Sequence, residues 1–94
     1  MAEIDVQRRD ESGPQMRFSV TVREGDSSTE HDVTLSAHDL DRLGATYRSP
    51  EDLVSACISF LLQREPKESI LPTFDVSVIG GYFPEFERTI ARED

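Results

Sequence analysis

Cysteine is almost missing from this 94-residue chain. Cys57 stands alone, so the chain holds no disulfide framework. The opening MAEIDVQRRD lacks the apolar core of a secretory signal. No apolar run approaches the ~18 residues that a membrane-spanning helix needs. These absences set a cytoplasmic, reducing location as the expectation. Lysine is scarce too: Lys67 is the only one, beside nine arginines. That bias reads as genome composition, not as a design for bidentate anion recognition. Cations number 10 against 19 acids, for a net charge of −9. Duplex binders gain affinity by placing cations on phosphates, and anionic membrane surfaces select the same groups. Neither direct nucleic-acid binding nor membrane binding is expected. A basic protein partner is compatible with the charge, and solubility alone accounts for it.

Residues able to do chemistry are few. His31 and His38 are the only histidines, each followed by an aspartate. A zinc site needs three or four ligands converging at ~2.0–2.3 Å, and no ligand-spacing motif supplies them. Cys57 lies midway along an apolar segment, where a free cysteine behaves as a small hydrophobe and not as an activated nucleophile. The serines form no G-x-S-x-G elbow. Gly80-Gly81 lacks the Lys-Ser/Thr of a phosphate loop. No catalytic residue, metal or cofactor is expected.

What the chain does have is patterning. Its length fits one domain, 1–94, with 1–2 and 91–94 frayed, that buries roughly 60–65% of its unfolded surface. MRFSVTVRE alternates cleanly, with Met16, Phe18, Val20 and Val22 on one face. TEHDVTLS does the same through His31, Val33 and Leu35, and a weaker alternation places Ile4 and Val6 together. GDSS is turn chemistry, and DESGPQ reads as another turn. The expectation is an antiparallel hairpin or three-stranded meander at about 2–8, 16–24 and 29–36. Its outer face would set Arg17 and Arg23 between Glu3 and Asp5 on one side and Glu30 and Asp32 on the other.

Helices must cover the apolar face. Ser36 is a good N-cap for a short helix at about 37–43, closed by Gly44. Ser49-Pro50-Glu51-Asp52 is a strong helix start: cap, proline at the first position, acids at the positive dipole end. The helix it opens, at about 50–65, has only a narrow polar stripe of Asp52, Ser55, Ser59 and Gln63. One sheet face cannot bury so wide an apolar surface, so another segment must pack on it. The expected core joins Phe18, Val20, Val33, Leu53, Cys57 and Phe60. KESIL has room for one more turn before Pro72. Beyond it, Phe74, Val76 and Val78 alternate like a strand, with Gly80-Gly81 as a turn. Equally, Asp75 can cap a helix that presents Val76, Ile79, Tyr82 and Phe83 on one face.

The blocks R-E-P-K-E-S-I-L (64–71) and I-G-G-Y-F-P-E-F (79–86) bring a family into view. With F-S-V-T-V, H-D-V-T-L and S-P-E-D-L-V before them, they resemble a family of short, uncharacterised bacterial hypothetical proteins, over nearly all of residues 16–90. The resemblance implies no activity, cofactor or catalytic residue. It does imply a helix at about 75–83, because similar sequences are less glycine-rich at the places of Gly80 and Gly81. The two glycines here depart from that pattern and imply a frayed helix.

The fold expected is a small two-layer α+β domain. The aromatic-rich end, Tyr82, Phe83 and Phe86 around Pro84, would supply the second cover for the central helix. At least one of its rings should stay partly exposed with a charged rim, which makes these three the candidate interaction residues. The first functional reading is a non-catalytic protein-interaction module, possible also as a self-associating one, docking through this segment or the central helix. The alternative is an acidic, antitoxin-like regulator that neutralises a basic partner. A weaker alternative is a small enzyme with a shared dimer site.

Overall fold

The computed structural model describes residues 2–9, 15–44 and 47–91. The expected fraying at residues 1 and 92–94, and most of the DESGPQ turn, lie outside the described residues. The order of elements is β1 (Glu3–Arg8), β2 (Gln15–Glu24), β3 (Ser27–Ser36), α1 (Ala37–Leu43), α2 (Pro50–Leu62), a 3₁₀ turn (Lys67–Ser69), β4 (Thr73–Asp75), α3 (Ser77–Tyr82) and α4 (Phe86–Ile90). This is a small two-layer α+β fold, with the helices against one face of a four-stranded sheet.

Alternation builds the sheet. In β2 the apolar residues Phe18, Val20 and Val22 are all buried, and in β3 so are His31, Val33 and Leu35. Register pairs Phe18 with Val33 and Val20 with His31, so the two apolar faces coincide. Two residues, Gly25 and Asp26, join the strands. Gly25 has φ 58° while no non-glycine residue has positive φ among those described. That is the signature of a type II′ turn, whose twist matches the flanking strands.

The expected meander forms, with β1 antiparallel to β2 and β2 antiparallel to β3. A fourth strand was not expected. β4 lies parallel to β3, pairing Val33 with Phe74. Parallel neighbours need a long crossover, and α1, α2 and the 3₁₀ turn provide it. Residues 73–83 therefore satisfy both sequence readings in turn: a three-residue strand, then a helix. The helix is shorter than the expected 75–83. Asp75 makes the switch, since its Oδ1 accepts from Thr34 Oγ1 at 2.6 Å and its Oδ2 from the Ser77 amide at 3.0 Å. Val76 already has helical angles (φ −53°, ψ −34°), so by backbone geometry Asp75 occupies the cap.

The outer charge ladder is sparser than expected. Only Glu3 and Arg23 stand directly opposite; Arg17 faces Thr34, Glu30 faces Thr21, and Asp32 faces Ser19. A two-residue hairpin fixes the register, and the charges fall one pair out of step with it.

The helix starts are as read. Ser36 Oγ accepts from the Asp39 amide and Ser49 Oγ from the Asp52 amide, both at 3.1 Å. Gly44 closes α1 with φ −94°, not in the left-handed region. Glycine is needed there for space: a Cβ would lie 2.5 Å from the Leu40 carbonyl oxygen. The helix α2 ends at Leu62, three residues before the expected limit. It buries Leu53, Val54, Cys57, Ile58, Phe60 and Leu61, and all six expected core residues are buried. The second cover for α2 is α4, an element absent from the sequence reading. Phe86 and Ile90 of α4 are buried. An ion pair from Arg42 to Glu87 at 2.7 Å holds it to α1, and one from Arg64 to Glu85 at 3.0 Å ties the residue that caps it to the segment just after α2. At its far end Tyr47 Oη donates to the Ile90 carbonyl at 2.9 Å.

Candidate functional site

Three aromatic residues at the chain end were the candidates, and the fold separates them. Phe83 and Pro84 enter a turn in which the Phe86 amide donates to the Phe83 carbonyl at 2.9 Å. Glu85, with φ −80° and ψ −5°, has the angles of the third residue of a type I turn, for which proline at the second place is favoured. The turn rotates Phe86 inward. It is 1% exposed, so it belongs to the core and leaves the candidate surface. Tyr82, one residue before the turn begins, is 67% exposed. Phe83 lies between them, half-buried.

Phe60 of α2 is the hub that positions this segment. Phe83 meets it edge-on at a centroid distance of 5.8 Å, and Phe86 does so at 5.2 Å. Both are favourable arrangements for ring quadrupoles. The Arg64 guanidinium lies 3.6 Å from the Phe60 ring centroid. From there it donates to Glu85 Oε2 and to the Phe60 carbonyl, each at 3.0 Å. Backbone hydrogen bonding first, and Arg64 second, hold the Glu85 carboxyl below its usual range.

Beside this hub lies an open groove of about 200 Å³. Its floor is Leu61, Ile70, Phe74 and Ile79, all buried. Leu71, Val78, Tyr82 and Phe83 form its walls. Leu71, Val78 and Tyr82 are the exposed large hydrophobic residues among those described, and every one of them lines this groove. Glu65 and Ser69 are its polar members. Seven of the ten lining residues come from the blocks 64–71 and 79–86. The two distinctive blocks of the sequence thus meet in one place, across the intervening β4.

One wall is held by a residue the sequence reading did not connect to the site. His31 is buried in β3, and its Nδ1 lies 2.8 Å from the Leu71 carbonyl oxygen. A carbonyl only accepts, so Nδ1 carries the hydrogen and donates. Thr29 Oγ1, at 2.8 Å, then donates to Nε2. His31 therefore fixes the backbone at Leu71 instead of facing a ligand. Its burial on an alternating strand was legible; its partner 40 residues away was not. His38 is exposed on α1. No group of three or more His, Cys, Asp or Glu suited to a metal ion occurs among the described residues.

Lys67, in the 3₁₀ turn, is 3% exposed. Its Nζ lies between two exposed carboxylates, with Glu68 at 2.6 Å and Glu24 at 3.7 Å. The Glu68 hydrogen bond, above all, raises its pKa.

Cys57 lies on the buried face of α2, 1% exposed. Burial first, and the Asp39 carboxylate second, push its thiol up to about 12. A thiolate is the reactive form, so folded Cys57 should react with a disulfide reagent at pH 8 about a thousandfold or more slowly than the unfolded chain. Reaction timed with and without denaturant checks this, and comparable rates would contradict the packing described.

No helix among the described residues is long and apolar enough to cross a membrane. The chain matches no known protein-family model, no curated protein and no solved structure.

Proposed function

We propose that this protein is a non-catalytic interaction module whose C-terminal groove receives an apolar anchor from a partner protein. The observation that carries the reading is the convergence of Leu71, Val78 and Tyr82 on one concave surface. Exposed apolar side chains scattered singly mean little; gathered in a groove with a polar edge they form the anatomy of a docking site. Size decides what enters. Sites for drug-sized molecules run about 300–1,000 Å³, whereas this groove offers about 200 Å³. One or two apolar side chains of a bound segment fill it. Chemistry points the same way, since the polar side chains lining it are the Glu65 carboxylate and the hydroxyls of Ser69 and Tyr82, with no histidine or cysteine in the lining. Glu65 is the charged member of the lining in a chain of net charge −9. The favoured partner segment therefore carries its apolar anchor next to Lys or Arg.

A displayed peptide library selected against the folded protein tests this. Enriched sequences should contain apolar anchors with basic neighbours. Val78→Asp and Tyr82→Ser should each weaken binding about tenfold or more, as loss of an anchor contact does. Both positions are exposed, and an acid near the start of α3 suits the helix dipole, so circular dichroism should be unchanged. Apolar docking should also persist at high salt. Selection of uniformly basic peptides that salt releases, and that both variants still bind, would replace this reading with acidic neutralisation of a basic partner.

A further inference from the structure

The strand order β1-β2-β3-β4 ends the sheet at β4 on the side that bears the groove. The Asp32 amide donates to the Pro72 carbonyl at 2.7 Å, and the Val76 amide to the Thr34 carbonyl at 3.0 Å. Between these two bonds Val33 pairs with Phe74 in the parallel ladder. Residues 72, 74 and 76 thus turn their bonding groups toward β3. A trans peptide points its N–H and its C=O in opposite directions, and no described peptide bond is cis. The amides and carbonyls of Thr73 and Asp75 therefore point away from β3. Among the described residues, neither the amide nor the carbonyl of Thr73 is hydrogen-bonded, and neither is the amide of Asp75. Thr73 is exposed. Such an edge is a template for another strand.

We propose that the partner protein binds as an extended segment that adds a fifth strand antiparallel to β4, with its apolar anchor opposite Phe74 and a Lys or Arg opposite Asp75. This rests on the groove as the docking site and adds the conformation and direction of what docks. Phe74 is both the middle residue of β4 and part of the groove floor. Side chains alternate along a strand, so the residue opposite Phe74 projects to the groove side. In the antiparallel arrangement, Thr73 and Asp75 each exchange two bonds with the residue opposite. Phe74 and the anchor then form the non-hydrogen-bonded pair, the one whose side chains lie closer. Direction follows from reach. Three antiparallel residues satisfy all four edge groups. A parallel strand bonds in slanted steps and would have to extend past residue 75, where Val76 already has helical angles. Charge fixes the order. Asp75 shares the outer face with Thr34, whose hydroxyl donates to it, and an opposite charge directly across from it is favourable. Read along the bound segment, the basic residue comes immediately before the anchor.

The shortness of β4 is part of the device. Very short edge strands resist indiscriminate pairing, and four backbone bonds of modest net worth do not hold a strand by themselves. An added strand stays only when its anchor also fills the groove, so the edge gives direction and the groove gives selectivity.

Short peptides selected from a displayed library on the folded full chain are the probe. Enriched sequences should align as a basic residue followed directly by an apolar one. Saturation with such a peptide should slow hydrogen exchange of the Thr73 and Asp75 amides about tenfold or more, read by NMR. N-methylation of the peptide at the basic residue, or at the residue after the anchor, should weaken binding about tenfold. N-methylation of the anchor itself, whose amide points away from β4, should not. Thr73→Pro should also weaken binding about tenfold, since proline is tolerated where an edge N–H faces outward, and circular dichroism checks the fold. Loss of binding on methylating the anchor amide would indicate a parallel strand, and anchors spaced three or four residues apart would indicate a helix. Either overturns the proposal. So does unchanged exchange at Thr73 and Asp75 under a peptide that Val78→Asp releases, an outcome that leaves the groove standing as a docking site. No enriched peptide, or peptides that Val78→Asp still binds, would sink the groove and this proposal with it. Sedimentation of the chain without peptide covers the remaining occupant: a dimer that Thr73→Pro abolishes would give the edge to a second copy and overturn the assignment to another protein.

Discussion

Phe60→Ala should lower the melting temperature by about 12 °C or more. Removing a buried phenylalanine ring costs about 3–5 kcal/mol, because the cavity it leaves collapses only in part. In a domain of this size each kcal/mol moves the midpoint by about 4–8 °C. Phe60 is 4% exposed, and more depends on it than its own burial. Phe83 and Phe86 both pack T-shaped against it, and Arg64 stacks over it while bonding Glu85. With Phe60 gone, the turn at Pro84 loses the surface on which it is seated. The cost approaches the whole stability of a small domain, about 5–15 kcal/mol. Thermal unfolding followed by circular dichroism measures the effect. A midpoint within a few degrees of the parent would show that the aromatic segment does not rest on Phe60.

Legibility follows the length of each pattern. β2 and β3 were readable because ten residues of alternation leave one face to bury. The start of α2 was readable because Ser49, Pro50, Glu51 and Asp52 each satisfy a separate local requirement of a helix N-terminus. β4 has three residues and α4 has five, too few to repeat a period of 2.0 or 3.6 residues and so to display a pattern. Their positions depend on distant partners: Thr34 and Gln15 for Asp75, and Arg42, Arg64 and Tyr47 for α4. The groove divides in the same way. Tyr82 and Phe83 announced themselves as a cluster of rings. Leu71 and Val78 did not, because an apolar residue becomes part of a site only when nothing covers it, and cover is a property of the whole fold. The sequence groups Phe86 with Tyr82 and Phe83 around Pro84 as a candidate interaction residue, with Pro84 expected only to redirect the chain. Pro84 starts a type I turn, and the helix that follows carries Phe86 into the core.

Phe86→Ser should leave the chain largely unfolded at 25 °C, whereas Tyr82→Ser should leave it folded. The two rings are four residues apart, and burial alone separates them: 1% exposed against 67%. At position 86 the change removes a core ring, for about 3–5 kcal/mol. It also places a hydroxyl in an apolar cavity, for about 1–3 kcal/mol more where no partner is in reach. Together, at about 4–8 kcal/mol, these are comparable with the lower part of the about 5–15 kcal/mol margin that a small domain has. α4 is only five residues long, so it has no stability of its own to offset the loss. At position 82 the expected change is within about 0.5 kcal/mol, as at other surface sites. Urea unfolding of the two variants beside the parent reads both effects on one scale. Similar midpoints for Phe86→Ser and the parent would return Phe86 to the surface and reopen it as a docking residue. Unfolding of Tyr82→Ser would make Tyr82 a packing residue and deprive the groove of its most exposed wall.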